Sequence, residues 1–192
     1  MKQSAKFIER NISGKMVLGL FILTNIVYVF MLTVTIPRTM SYAKGLRLLD
    51  MMPTGYSMNY VRELFDSLGE IGRETYLTKQ IPVDMIYPFL FGLTYSLLLA
   101  YFLKKLNKFK SPFFYLCLLP VSAGIADYLE NFGIIIMLKN YPELTHEMVS
   151  ATCLFSMIKS ISTSLIFVIL IIILILLGIK AIHRKKRQYD NV

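Results

Sequence analysis

Residues 165–177 read LIFVILIIILILL, thirteen consecutive apolar residues inside the longer apolar stretch 151–179. A helix built from that run has no polar face to offer water, so it is stable only where apolar surroundings cover every side. A bilayer supplies them, because about 20 helical residues cross its hydrocarbon core. Three further stretches of that length and character precede it, at 16–36, 84–103 and 112–138. With 55% of its 192 residues hydrophobic, the chain is read as one integral membrane unit spanning 1–192. The fold expected is all-α: a polytopic bundle of four transmembrane helices, with an outer loop at 37–83 and a basic tail at 180–192.

Basic Lys2, Lys6, Arg10 and Lys15 stand before the first stretch, as in a secretory signal. That stretch is longer than the 7–15 apolar residues of a signal core, and Thr35-Ile36-Pro37-Arg38 is a poor cleavage site. It is therefore expected to remain as the first span.

The formal net charge of +9 suits topology better than nucleic-acid binding. Four basic residues lie in the N-terminal segment and four in the loop Lys104, Lys105, Lys108 and Lys110. Five more lie in the tail, at Lys180, Arg184, Lys185, Lys186 and Arg187. Only Glu9 and Asp190 oppose these thirteen. The remaining connections are nearly balanced, six basic residues against five acidic in 37–83 and one against two in 139–150. Loops rich in Lys and Arg stay in the cytoplasm, so both termini and the middle loop are expected there. A nucleic-acid surface would need these residues on one face beside a recognition motif, and none is present, so no nucleic-acid partner is expected. The tail can instead contact anionic lipid.

Cys117 and Cys153 fall near opposite ends of their helices, too far apart for a disulfide. The histidines are His146, in a connection, and His183, in the tail. Neither a bis-histidine haem nor a zinc-type ligand set can be assembled from them, and no metal or other cofactor is expected.

The 47-residue segment 37–83 is too long to be a mere tether. Within it Met58, Val61, Leu64, Phe65, Leu68 and Ile71 recur at helical spacing, with Arg62, Glu63, Asp66 and Glu70 between them. An amphipathic helix over 57–69 follows, resting on the membrane surface or capping the bundle. Gly69, Gly72 and Pro82 then punctuate its exit into the second span. Elsewhere, Pro120 is expected to kink the third span. Asn25 in the first is expected to hydrogen-bond across helices.

The charges inside the spans carry the functional signal. Asp84 lies 20 residues before Lys104, Glu130 20 after Lys110, and Lys159 21 before Lys180. At 1.5 Å per residue each stands roughly 30 Å from the basic boundary. Asp127 and Asn131 share the Glu130 face at i, i+3 and i+4 spacing. Glu130 and Lys159 have apolar flanks on both sides, and exposing a charge to lipid costs at least about 2.5 kcal/mol. A shared pocket in the outer half of the bundle is expected, with Lys159 paired to Glu130 or Asp127. Arg73 would balance the excess of carboxylates, or one acid would stay protonated. The same cluster can equally be a salt-bridged plug that fixes helix register.

Four patterns stand in order: Asp50-x-x-Pro53-x-Gly55-Tyr56, Gly72-Arg73-x-x-Tyr76, Asp84-x-x-Tyr87-Pro88 and Asp127-x-x-Glu130-Asn131, followed by Lys159. This ordered set, from about residue 46 to 160, resembles a group of small, uncharacterised four-helix bacterial membrane proteins. The resemblance implies four helices and a bacterial membrane, and it implies no activity or cofactor.

Three functions follow from these residues. The first is a membrane accessory or lipid-binding protein whose outer amphipathic segment or polar pocket meets a membrane-protein partner or a lipidic ligand. The second is a membrane enzyme acting on a lipidic substrate. In it Asp127 and Glu130 are candidate acid and base, Lys159 and Arg73 hold an anionic head group, and Tyr76 and Tyr87 donate hydroxyls, with Asp84 and Asn131 completing the binding set. The third, proton- or ion-coupled transport, lacks an inverted repeat to support it.

Overall fold

The computed structural model describes residues 12–189, with side chains described through Arg184. Lys2, Lys6, Glu9, Arg10 and Asp190, used above for topology, lie outside the described residues, as do the side chains of Lys185, Lys186 and Arg187. Among the described residues every regular element is helical. Four stretches are long and apolar enough to cross a membrane: Gly14–Met40, Met58–Lys105, Phe113–Asn140 and His146–Arg184. Helices satisfy every backbone hydrogen bond within the segment, which hydrocarbon demands.

The first stretch comprises α1 (Gly14–Phe30), a π-helical turn (Met31–Thr35) and α2 (Ile36–Met40). Ser13 starts it, its side chain accepting from the Met16 N–H at 3.3 Å. The helix runs past the expected end at residue 36 because the wide turn directly precedes Ile36-Pro37. Proline then falls in the first turn of α2, where its missing N–H leaves no bond broken.

The same device joins the outer segment to the second span, and here the structure corrects the sequence reading. The segment 37–83 is largely helical rather than a loop. After a 3-10 turn at Leu49–Met51, α3 (Met58–Thr75) passes through a π-helical turn (Tyr76–Gln80) into α4 (Ile81–Asp84), and α5 (Tyr87–Lys105) follows. Ile81-Pro82 again comes directly after the wide turn, so Pro82 is accommodated without ending the helix. Within α3 the sharp break is at Gly69, with φ at +61°, a left-handed conformation that L side chains resist.

Val61, Leu64, Phe65 and Leu68 of α3 are buried, packed in one cluster with Leu48, Leu49, Ile134, Met137 and Val149. Helix α3 therefore turns its apolar face onto the bundle and caps it.

The third stretch begins with a 3-10 turn (Phe113–Leu118) and continues as α6 (Leu119–Asn140). Pro120 occupies the first turn of α6, so it starts that helix and does not kink it. The fourth is α7 (His146–Tyr189), which starts five residues before the expected 151 because Thr145 accepts from the Met148 N–H at 3.3 Å.

Helix α5 is central. It crosses α6 closely at Gly92 and Gly124: a Cβ placed on Gly124 would stand 2.8 Å from the Pro88 carbonyl oxygen. On its other side α1 packs against it, the Thr24 and Thr94 hydroxyls meeting at 2.7 Å. Helix α7 packs along α6, and Lys180 Nζ donates to the Lys105 carbonyl at 2.7 Å near the basic end. Helices α1 and α7 have no comparable contact with each other. A groove remains between them, floored by α5.

Candidate functional site

Helical spacing puts Asp127, Glu130 and Asn131 on one buried face of α6. From α7, Lys159 Nζ reaches Asp127 Oδ1 at 3.3 Å and forms an ion pair with Glu130 Oε2. Glu130 is fully buried, so this ion pair is shielded from solvent on the carboxylate side. Both polar atoms of the Asn131 amide are likewise buried without a partner. Asp84, at the end of α4, is only 3% exposed, and its Oδ2 has no hydrogen-bond partner.

Asp50 joins this set from the 3-10 turn before α3. Tyr76 Oη donates to its Oδ1 at 2.8 Å, and Gln80 Nε2 donates to its Oδ2 at 3.2 Å. Gln80 in turn accepts from the Thr35 hydroxyl. The π-helical turn from Tyr76 to Gln80 thus holds the Asp50 carboxylate at both oxygens, and the turn ending in Thr35 braces it through Gln80. Wide turns of this kind often re-aim side chains at working sites.

These groups open onto a cavity of about 660 Å³ in the groove between α1 and α7. Asp50, Asp84, Asp127 and Lys159 line its polar end, and Tyr28, Tyr87, Phe91 and Tyr95 line the wall beyond. A second cavity of about 580 Å³ shares Phe21, Tyr95 and Phe167 with the first and continues between the same helices to Gly14, Tyr101 and Leu174. The two cavities follow one another along the groove, the first carrying the carboxylates and the second walled almost wholly by apolar side chains, with the packed rings of Phe21, Tyr95 and Phe167 common to both.

The structure brings together Asp84, Asp127, Lys159 and Tyr87 at the cavity. Glu130 and Asn131 do not line it. Both are fully buried, and Glu130 meets the cavity through its ion pair with Lys159. Tyr76 also lies off the cavity and acts on it through Asp50. Arg73 departs furthest from expectation. Its Nη1 donates to the Phe65 carbonyl at 2.7 Å, and its guanidinium stacks 4.6 Å from the Tyr141 ring centroid. Phe65 lies in the last turn before the break at Gly69, where carbonyls lack their helical partners, and Arg73 satisfies that carbonyl instead of balancing the pocket. Four carboxyl groups, Asp50, Asp84, Asp127 and Glu130, consequently face the one ammonium of Lys159.

Two contributors escaped the sequence reading as site residues. Asp50 carried a usable signal, an isolated carboxylate among Leu48, Leu49, Met51 and Met52. The α1 wall, Phe21, Thr24, Asn25 and Tyr28, carried none. Asn25 Nδ2 donates to the Phe21 carbonyl of its own helix at 2.7 Å and bridges to no other helix. Nearby, burial first and the Glu130 carboxylate second push the Tyr56 phenol well above the ordinary tyrosine range, so it remains a protonated donor at neutral pH.

Among the described residues no group of three or more His, Cys, Asp or Glu side chains converges as a metal site would require. No protein-family model, curated protein or solved structure matches the chain.

Proposed function

We propose that this chain is a lipid-binding membrane protein that holds one amphiphilic lipid in the groove between α1 and α7. The observation that carries the reading is the succession of the two cavities along one groove, with Phe21, Tyr95 and Phe167 lining both. Charged groups gather at one end, and the remaining length is walled by Leu98, Phe102, Leu170 and Leu174, the chemical profile of a head group followed by an acyl chain. Exposed apolar residues border the groove on both sides, Leu18 on α1, Leu32 in the π-helical turn that follows it and Ile171 on α7, so a lipid can enter sideways from the bilayer. The accessory alternative is weakened at one point, because the apolar face of α3 is covered by the protein itself and is not free for a partner.

The resemblance drawn from the sequence motifs favours a bacterial cytoplasmic membrane, and the distribution of Lys and Arg favours both termini and the 104–110 loop inside. Reporter fusions at either terminus test that orientation.

Native mass spectrometry of the protein extracted from its own membrane tests the lipid. The expected spectrum shows one lipid per chain, lost in Thr163→Phe, which fills the cavity beside Lys159. Retention of no lipid, or equal retention by the variant, argues against the reading. Acid–base chemistry on the bound lipid is a second reading, favoured by the Asp127–Lys159 pair on the cavity wall. Identical lipid profiles in wild-type and Asp127→Asn membranes would exclude it.

A further inference from the structure

Resting on the lipid reading just given, we propose that the head group bound at the polar end is an amine, protonated or quaternary, and not a purely anionic group. Three observations converge on it.

The first is charge. Asp50, Asp84 and Asp127 line the cavity with Lys159, whose ammonium is already engaged by Asp127 and by Glu130 behind it. An anionic phosphate or carboxylate placed there would meet three carboxyl groups and a cation without spare charge. The sequence-based assignment of Lys159 and Arg73 to an anionic head group needed a second cation, and Arg73 is turned toward Tyr141.

The second is an unmet hydrogen-bonding need. Both oxygens of Asp50 accept bonds from the protein, and Asp127 Oδ1 accepts from Lys159. Asp84 differs. It is 97% buried by its 3% exposure, lines the cavity, and has Oδ2 without a donor. A buried carboxylate oxygen in that state is stabilised by an incoming N–H donor that also carries positive charge.

The third is aromatic. Tyr28 stacks on Tyr87 with centroids 5.4 Å apart, and Phe91 lies 4.4 Å from Tyr95. All four side chains line the same cavity. Aromatic faces beside a carboxylate recognise ammonium groups, including quaternary ones, through the negative potential of the ring. An aminoalcohol phospholipid meets all three conditions, its amine reaching Asp84 while its acyl chain follows the apolar groove.

The test uses the full chain in detergent with equal amounts of phosphatidylethanolamine and phosphatidylglycerol of matched acyl chains, read by native mass spectrometry. The expected result is retention of the amine lipid over the glycerol lipid by about tenfold, a discrimination of the size one charge pair supplies. Asp84→Asn should reduce that ratio toward unity. Tyr87→Leu, which leaves every carboxylate in place, should reduce it in part and serves if Asp84→Asn fails to fold. Equal retention of both lipids, or a ratio unchanged in both variants, overturns the amine and leaves the groove standing. Retention of neither lipid overturns the lipid reading as well. Competition separates lipid from soluble amine: dodecylammonium should displace the bound lipid, while dodecanoate and free ethanolamine should not. Displacement by dodecanoate as strong as by dodecylammonium overturns the amine. Displacement by ethanolamine alone supports the amine and overturns the amphiphile.

Discussion

Replacing Lys159 by methionine removes the cation that two carboxylates of α6 share. The side chains involved are 18% exposed at Lys159, 8% at Asp127 and fully buried at Glu130, so solvent cannot take over the lost role. Breaking a buried ion pair by deleting one partner costs about 3–5 kcal/mol, because the abandoned charge remains desolvated. For a chain of this size 1 kcal/mol moves the melting temperature by about 2–4 °C, which gives a loss of roughly 6–20 °C. Scanning fluorimetry or size-exclusion melting in a single detergent reads it. Neutralising the stranded partners in the triple variant Lys159→Met, Asp127→Asn, Glu130→Gln should recover most of the loss, since the two carboxylates that Lys159 pairs with are then uncharged. A Lys159→Met protein that melts within about 2 °C of wild type would refute the reasoning. So would a triple variant as unstable as the single one.

Gly124→Ala places a methyl against the Pro88 carbonyl, 2.8 Å away before any shift, and should cost about 1–3 kcal/mol as α5 and α6 separate; the same melting assay checks it. Tyr76→Phe removes the hydroxyl on Asp50 Oδ1 and should cost about 1–3 kcal/mol. It should also weaken lipid retention, since Asp50 is no longer held on both sides. Arg73→Ala should leave lipid retention unchanged while lowering the melting temperature slightly, because its contacts are the Phe65 carbonyl and the Tyr141 ring. A loss of bound lipid in that variant would return Arg73 to the pocket.

Much of the bundle was legible because hydrocarbon leaves a chain few choices. Residues 165–177 have no polar face, so a lipid-facing helix follows from composition alone. The meeting of Asp127 and Lys159 was legible for a related reason: a charge flanked by apolar residues on a membrane helix has to turn toward protein. What stayed hidden depended on tertiary geometry. The Ile36-Pro37 and Ile81-Pro82 pairs read as ends of spans, and only a wide turn directly before each shows how the helix continues through them. Arg73 was drawn into the pocket by charge balance, yet a nearby carbonyl and ring outcompete a distant carboxylate. The α1 wall of the cavity was invisible because Phe21 and Tyr28 look like any aromatic residues in a membrane span. Their role appears only when α1 and α7 are seen to stand apart.

Photo-crosslinking with a phospholipid whose acyl chain carries a diazirine asks most directly whether that gap holds a lipid. Occupation of the groove predicts adducts concentrated on its apolar walls, at Leu98, Tyr101, Leu170 and Leu174. Adducts spread evenly over the outward faces, at Ile125 and Phe132 as readily as at Leu98, would contradict it.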